Sequence, residues 1–146
     1  MGRERIVLAS SEETLRLGAQ FACKLPNRSI LALQGDLGAG KTTFVQGLLN
    51  GFAVADTAQS PTFTYLQIYE GPIYHFDLYR LSSEKDFLHL GLDEFLSSDG
   101  IAIIEWPDRI ASLLPSNTPL IRLSHHKHMR IAEITTWEQR GRDHGV

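Results

Sequence analysis

Gly35-Asp36-Leu37-Gly38-Ala39-Gly40-Lys41-Thr42, with Thr43 behind it, is a complete phosphate-binding loop of the form G-x-x-x-x-G-K-[ST]. Its glycines let the chain wrap closely around a phosphate with N–H groups turned inward. Lys41 is placed to neutralise β- and γ-phosphates, and Thr42 to offer a hydroxyl to Mg²⁺. Chains of this length match the pattern by accident about once in 200, so the flanking sequence has to agree. Upstream, residues 29–34 are a short apolar run that reads as a buried strand. Downstream, Phe44, Val45, Leu48, Leu49 and Phe52 recur at helical spacing. Strand, loop and helix are what the motif requires, because the helix N-terminus adds partial positive charge at the phosphates. A nucleoside triphosphate site is expected around Gly35, Asp36, Gly38, Ala39, Gly40, Lys41, Thr42 and Thr43.

The remaining composition suits one ordinary soluble domain: 146 residues, 42% hydrophobic and 21% charged. No apolar run approaches the roughly 18 residues of a membrane span. The N-terminus lacks the apolar stretch of a signal peptide. Cys23, the single cysteine, fits a reducing cytosol and reads as a small core residue in the first helix. A cytoplasmic protein without membrane or DNA partners is expected, since a net charge of −3 demands no nucleic acid. The charge is uneven: residues 1–121 carry 9 basic and 14 acidic side chains, residues 122–146 carry 5 and 3. Arg122, Lys127, Arg130, Arg140 and Arg142 therefore make the C-terminal part locally basic, read as a solvated tail or a weak contact for an anionic partner.

Outward from the loop, Ser10 and Glu13 form a capping-box signature for a helix that Pro26-Asn27 ends. The small, polar stretch 53–59 reads as an exposed connection. Runs at 63–69 and 73–78 around Glu70-Gly71-Pro72 predict an antiparallel hairpin. Residues 82–96 predict one or two short helices broken at Gly91, and 101–104 a strand buried on both faces. Pro107 opens a short helix closed before Pro115. Residues 118–123 and 130–136 predict two more strands around a His-rich turn, with a frayed tail from Glu138. The fold class is α/β: a single domain over residues 1–146, with a mixed central sheet flanked by helices.

A phosphate loop needs a carboxylate for Mg²⁺ or its water shell at the end of a neighbouring strand. Asp77 and Glu105 both end β-rich runs and both qualify. Direct ligand, water-mediated ligand and general base remain undivided between them. Ser60-Pro61-Thr62 is either a turn opening the hairpin or a switch-like segment in which Ser60 and Thr62 sense the γ-phosphate. Trp106 either flanks the nucleotide or is structural. Arg80 and Arg109 read as surface residues before charge stabilisers. His125, His126 and His128 lack other ligands at metal spacing and read as a solvated turn.

The ordered set of the loop, Ser60-Pro61-Thr62-Phe63, His75-Phe76-Asp77-Leu78-Tyr79-Arg80, Gly91-Leu92-Asp93-Glu94 and Glu105-Trp106 resembles the TsaE (YjeE) family. The likeness runs from about residue 10 to 131. It implies a P-loop NTPase fold that binds ATP and ADP with Mg²⁺ and serves the TsaD–TsaB pair. That pair transfers a threonylcarbamoyl group to the tRNA adenosine beside the anticodon, so tRNA is met indirectly. The resemblance implies that Lys41, Asp77 and Glu105 are catalytic, with Thr42, Glu105 and Asp77 at the metal. It further implies that Trp106 lies beside the nucleotide, that Ser60 and Thr62 are switch-like, and that Ser11 and Thr14 approach the adenine. A small-molecule kinase is the rival; it would need a lid carrying several arginines, which no segment before residue 122 supplies. A GTP switch would need an Asn-Lys-x-Asp guanine reader, and no Asn-Lys occurs.

Overall fold

The apolar run ahead of the phosphate loop becomes the middle strand of a seven-stranded sheet in the computed structural model, which describes residues 3–36, 38–59 and 65–140. In chain order the strands are β1 (Glu4–Leu8), β2 (Ile30–Gly35), β3 (Leu66–Tyr69), β4 (Ile73–Asp77), β5 (Ile101–Glu105), β6 (Pro119–His126) and β7 (Met129–Thr136). They lie side by side as β1-β7-β6-β2-β5-β4-β3. The four inner strands β6, β2, β5 and β4 are parallel. Antiparallel β7 and β1 extend one side, and antiparallel β3 the other. The sheet is therefore mixed, with its parallel part centred on the strand that feeds the loop.

Alternation along the strands divides the core. Leu31, Leu33, Ile101, Ile103, Ile121 and Leu123 face two helices, α1 (Ser11–Ala22) and α2 (Lys41–Gly51). Ala32, Tyr74, Phe76, Ala102, Ile104 and Leu120 face α3 (Glu84–His89) and two 3₁₀ helices, Leu92–Leu96 and Pro107–Leu113. β5 is buried along its whole length, as a central parallel strand must be.

α1 starts where Ser10 accepts a hydrogen bond from the Glu13 amide. The return bond runs one residue earlier than the capping box expects, with Ala9 N–H donating to Glu13 Oε1 at 2.9 Å. α1 and α2 then pack backbone to backbone. A Cβ added to Gly18 would lie 2.4 Å from the Phe44 carbonyl oxygen, and one on Gly47 would lie 2.3 Å from that of Leu15. Backbone cannot yield as a flexible side chain can, so Gly47→Ala is expected to force the helices apart. The cost is about 1–3 kcal/mol of overpacking, against roughly 1 kcal/mol gained from helix propensity. A urea titration should show a net loss; a stabilised variant would contradict the close approach.

Three expectations need correction. Cys23 is not a core residue: α1 ends at Ala22, and Cys23 caps it with its side chain exposed. The chain at Glu138–Arg140 is not frayed, because the Trp137 amide donates to the Thr118 carbonyl and the Glu138 amide to that of Ser116. Trp137 is buried and Arg140 stacks on its ring at 3.8 Å. Nor are the C-terminal cations simply a solvated tail, since Arg122, Arg130 and Arg140 are half-buried. Lys127 is exposed as expected, and Arg142 lies outside the described residues. Two strands also differ in extent. β1 had no sequence signal, and β6 runs on through the exposed His125 and His126.

Candidate functional site

β2 delivers the chain to the C-terminal edge of the parallel strands, where Gly35 passes tightly beside β6. A Cβ on Gly35 would lie 2.8 Å from the Leu123 carbonyl oxygen. The loop then turns through Asp36, whose carbonyl accepts from Ala39 N–H at 3.0 Å. Ala39 tucks into the core while Gly38 and Gly40 stay towards the surface. Gly38 (φ +79°) and Gly40 (φ +103°) take the left-handed backbone that only glycine adopts freely. Space is not their constraint, since the nearest atoms to an added Cβ are 3.9 and 3.8 Å away.

The start of α2 differs from the other helices. Ser10 caps α1 and Ser83 caps α3, each with acidic residues in the first turn. α2 has neither a side-chain cap nor a first-turn acid. Its first N–H groups and its dipole are thus left to an anion, as a phosphate loop requires.

Beside this helix start lies a cavity of about 540 Å³ lined by Asp36, Gly38, Gly40, Lys41, Thr42, Asp77, Tyr79, Arg80, Glu105 and Trp106. Parallel pairing sets Asp77 of β4 directly opposite Glu105 of β5, so both carboxylates reach the same end of the sheet. Glu105 is only 5% exposed. Its Oε1 lies 3.5 Å from Lys41 Nζ and its Oε2 2.5 Å from Nε2 of buried His75. Burial alone would push the Glu105 carboxyl upward; the His75 hydrogen bond and charge, with Lys41, hold it below the usual carboxylate range. Glu105 is therefore an anion poised at the cavity floor. Asp77 accepts from the Tyr79 amide at 3.1 Å and is less buried.

Trp106 sits next in sequence with a left-handed backbone (φ +58°) and a half-buried ring. Tyr79 tilts against that ring at 4.8 Å, Lys41 Nζ lies 5.2 Å from its centre and Arg109 5.9 Å. Arg109 also donates to the Tyr79 carbonyl, which makes it a brace for this aromatic wall.

On the other side of the loop a cavity of about 280 Å³ is lined by Leu8–Ser11, Thr14, Gly38, Gly40, Thr43, His128 and Arg130. Thr14 is buried, with its hydroxyl donating to the Ser10 carbonyl at 3.4 Å. The structure thus places Ser11 and Thr14 beside the loop, on the side away from the carboxylates. Ser60 and Thr62 lie outside the described residues.

Sequence reasoning gave His75 no site role and read Arg130 as part of a basic stretch and His128 as a solvated turn. His75 sits two positions before Asp77, and a strand period of two puts both on one face; that signal was available. Arg130 donates to the Gly38 carbonyl at 3.2 Å and braces the loop from β7, and His128 lines the same cavity. No local pattern announces contacts across 92 residues.

The donor set fits a magnesium ion held with phosphate oxygens. Mg²⁺ commonly takes one or two carboxylates plus substrate phosphates rather than an all-protein cage. Thr42, Asp77 and Glu105 line one cavity. No helix among the described residues is long and apolar enough to cross a membrane.

Comparison with known proteins agrees with this arrangement. A family model described as threonylcarbamoyl adenosine biosynthesis protein TsaE matches residues 8–133. The tRNA threonylcarbamoyladenosine biosynthesis protein TsaE of Treponema pallidum is 43% identical over 121 residues, 82% of this chain and 90% of that protein. Its namesake in Nostoc sp. is 44% identical over 139 residues, 90% and 85% of the two chains. The crystal structure of YdiB from Bacillus subtilis superposes with a TM-score of 0.79 at 28% identity, covering 97% of this chain and 90% of that one. With the family match spanning the loop, both carboxylates and Arg130, the chain belongs to the TsaE family.

Proposed function

We propose that this protein is a cytoplasmic, Mg²⁺-dependent ATP-binding protein that hydrolyses ATP slowly and supports the TsaD–TsaB pair in threonylcarbamoyl modification of tRNA. The family membership supports the pathway. The observation that carries the chemistry is the single cavity in which Lys41, Thr42, Asp77 and Glu105 meet at an uncapped helix start.

In this reading the loop N–H groups and Lys41 hold the phosphates. Thr42, Glu105 and Asp77 would hold a Mg²⁺ ion or its water shell, which would supply neutralisation of charge on the phosphate oxygens. Lys41 would hold triphosphate oxygens by charge, and Glu105 Oε1, 3.5 Å from its Nζ, would lie beside them. The N-terminal cavity with Thr14, Ser11 and Thr43 receives the nucleoside. Trp106 flanks the nucleotide on the carboxylate side.

Glu105→Gln is expected to lower Mg²⁺-dependent hydrolysis about 100-fold and Asp77→Asn about 10- to 100-fold, the range for disturbed metal shells. Binding of ATP should change by only a few-fold in each, because backbone N–H groups and Lys41 remain. Steady-state phosphate release and equilibrium titration separate the two effects. Full hydrolysis in either variant would remove that residue from the mechanism. For the reading as a whole, phosphate release is measured with ATP and Mg²⁺, alone and with TsaD–TsaB. Slow turnover raised by the pair is expected; phosphorylation of a metabolite panel would instead favour a kinase.

A further inference from the structure

Glu105 has two oxygens with different neighbours, and the difference has a source one strand away. On β4, His75 and Asp77 share a sheet face, and the register sets His75 opposite Ile103 and Asp77 opposite Glu105. His75 is 1% exposed, opposite Ile103 in the sheet and against the ring of Tyr69, which stacks at 6.3 Å. Its Nε2 meets Glu105 Oε2 at 2.5 Å, while Oε1 is the oxygen near Lys41 Nζ.

We propose that His75 is the positioning residue of the metal site: it fixes Glu105 by Oε2 so that Oε1 alone is presented to magnesium or its water shell. The inference rests on the proposed Mg²⁺–nucleotide reading and assigns a residue that reading does not use. An ionised carboxylate can only accept, so Nε2 carries the proton and donates. A glutamate has three rotatable bonds, and an untethered one would have to be ordered when the cation arrives. Tethered at one oxygen, it is ordered beforehand.

Stability does not account for the pair. A buried polar pair in apolar surroundings is commonly matched or bettered by apolar residues of similar volume. His75 carries a further cost, since its buried Nδ1 has no hydrogen-bond partner among the described residues. A pair of apolar side chains at positions 75 and 105 would pack there at least as well as imidazole and carboxylate do. What they could not do is hold a carboxylate oxygen in place. Hydrogen bonds to a metal-binding group typically change metal affinity or activity by roughly 10- to 100-fold when removed.

The test compares His75→Gln with His75→Asn. Both are buried amides, but only the longer one places an N–H near the Nε2 position. Mg²⁺ is titrated into each protein with a fluorescent, non-hydrolysable ATP analogue, and the analogue's affinity is measured separately in EDTA. The Asn variant is expected to need at least about tenfold more Mg²⁺ than wild type, with its EDTA affinity unchanged. The Gln variant should stay close to wild type in both. Thermal melts confirm folding, and His75→Leu, if folded, should behave as Asn does. An Asn variant with wild-type Mg²⁺ dependence would overturn the inference. So would equal impairment of Gln and Asn, which would mark loss of the ring's packing rather than of its donor. Wild type lacking any Mg²⁺ dependence would instead overturn the site reading itself, and this inference with it.

Discussion

Lys41→Ala is expected to weaken ATP binding by about 10- to 100-fold, because a charge-assisted contact contributes roughly 1.5–3 kcal/mol. The loop glycines and the uncapped start of α2 remain, so weak binding should persist rather than vanish. The second consequence concerns the balance of charge around buried Glu105. Lys41 is one of two groups that balance buried Glu105, at 3.5 Å, and His75 at 2.5 Å is the nearer. Stripping a buried charge of all compensation costs about 3–5 kcal/mol; here the nearer partner stays, so the loss should be smaller and the fold should survive. The acid side of the stability profile should shift as well. Glu105 is held below the usual carboxylate range, so it contributes stability above its unfolded pKa that is lost as pH falls through its lowered folded pKa. Without Lys41 that depression shrinks, so the contribution of Glu105 should be smaller and its loss, still beginning near the unfolded pKa, should be complete at a higher pH. Titration of ATP against the variant with unchanged affinity would contradict the assignment of the loop.

The parts legible in the sequence were those written in local pattern. The loop, the strand before it and the helix after it follow from glycine spacing and from periods of 2 and 3.6. β5 was legible because 101–104 is uniformly apolar, and Glu105 then had to fall at a strand end. β1 was not legible: its five residues mix charge and apolar groups, and pairing with β7 nearly 130 residues away decides its state. Cys23 was misread because apolar periodicity continues to Leu25 although the helix stops at Ala22. Arg130 was read as part of a basic stretch because its target, the Gly38 carbonyl, is set by β7 lying beyond β6 in the sheet. The two carboxylates were legible as candidates, but their inequality was not. It arises from His75 and Lys41 converging on Glu105 while Asp77 meets the Tyr79 amide.

On the proposed function, affinity for TsaD–TsaB should depend on the nucleotide, with ATP favouring the assembled complex about 5- to 150-fold over ADP. The two nucleotides differ only in the γ-phosphate, so the coupling must begin at groups that contact it and end at a surface a partner can meet. The stretch from residue 53 to 62 is the candidate element, and its described part is already tied to the site. Ala58 N–H donates to Gln46 Oε1 at 2.8 Å, and Gln46 belongs to α2, whose start is the proposed phosphate site. Gln59 N–H donates to the Tyr69 hydroxyl at 2.8 Å, and Tyr69 stacks on His75, the partner of Glu105. Its described part, residues 53–59, is mostly exposed, with Val54 and Ala58 as its apolar anchors, so a change in its order meets limited opposition. A γ-phosphate sensed by Ser60 or Thr62 would hold it in one arrangement, and hydrolysis would release it. The measurement is equilibrium capture of the protein by TsaD–TsaB under ATP, under ADP and without nucleotide, beside phosphate release with and without the pair. Equal affinity in all three conditions would refute the switch. Rapid hydrolysis by the isolated protein would refute the need for a partner, because a site awaiting loop order or a missing stabilising group must be slow until the partner supplies it.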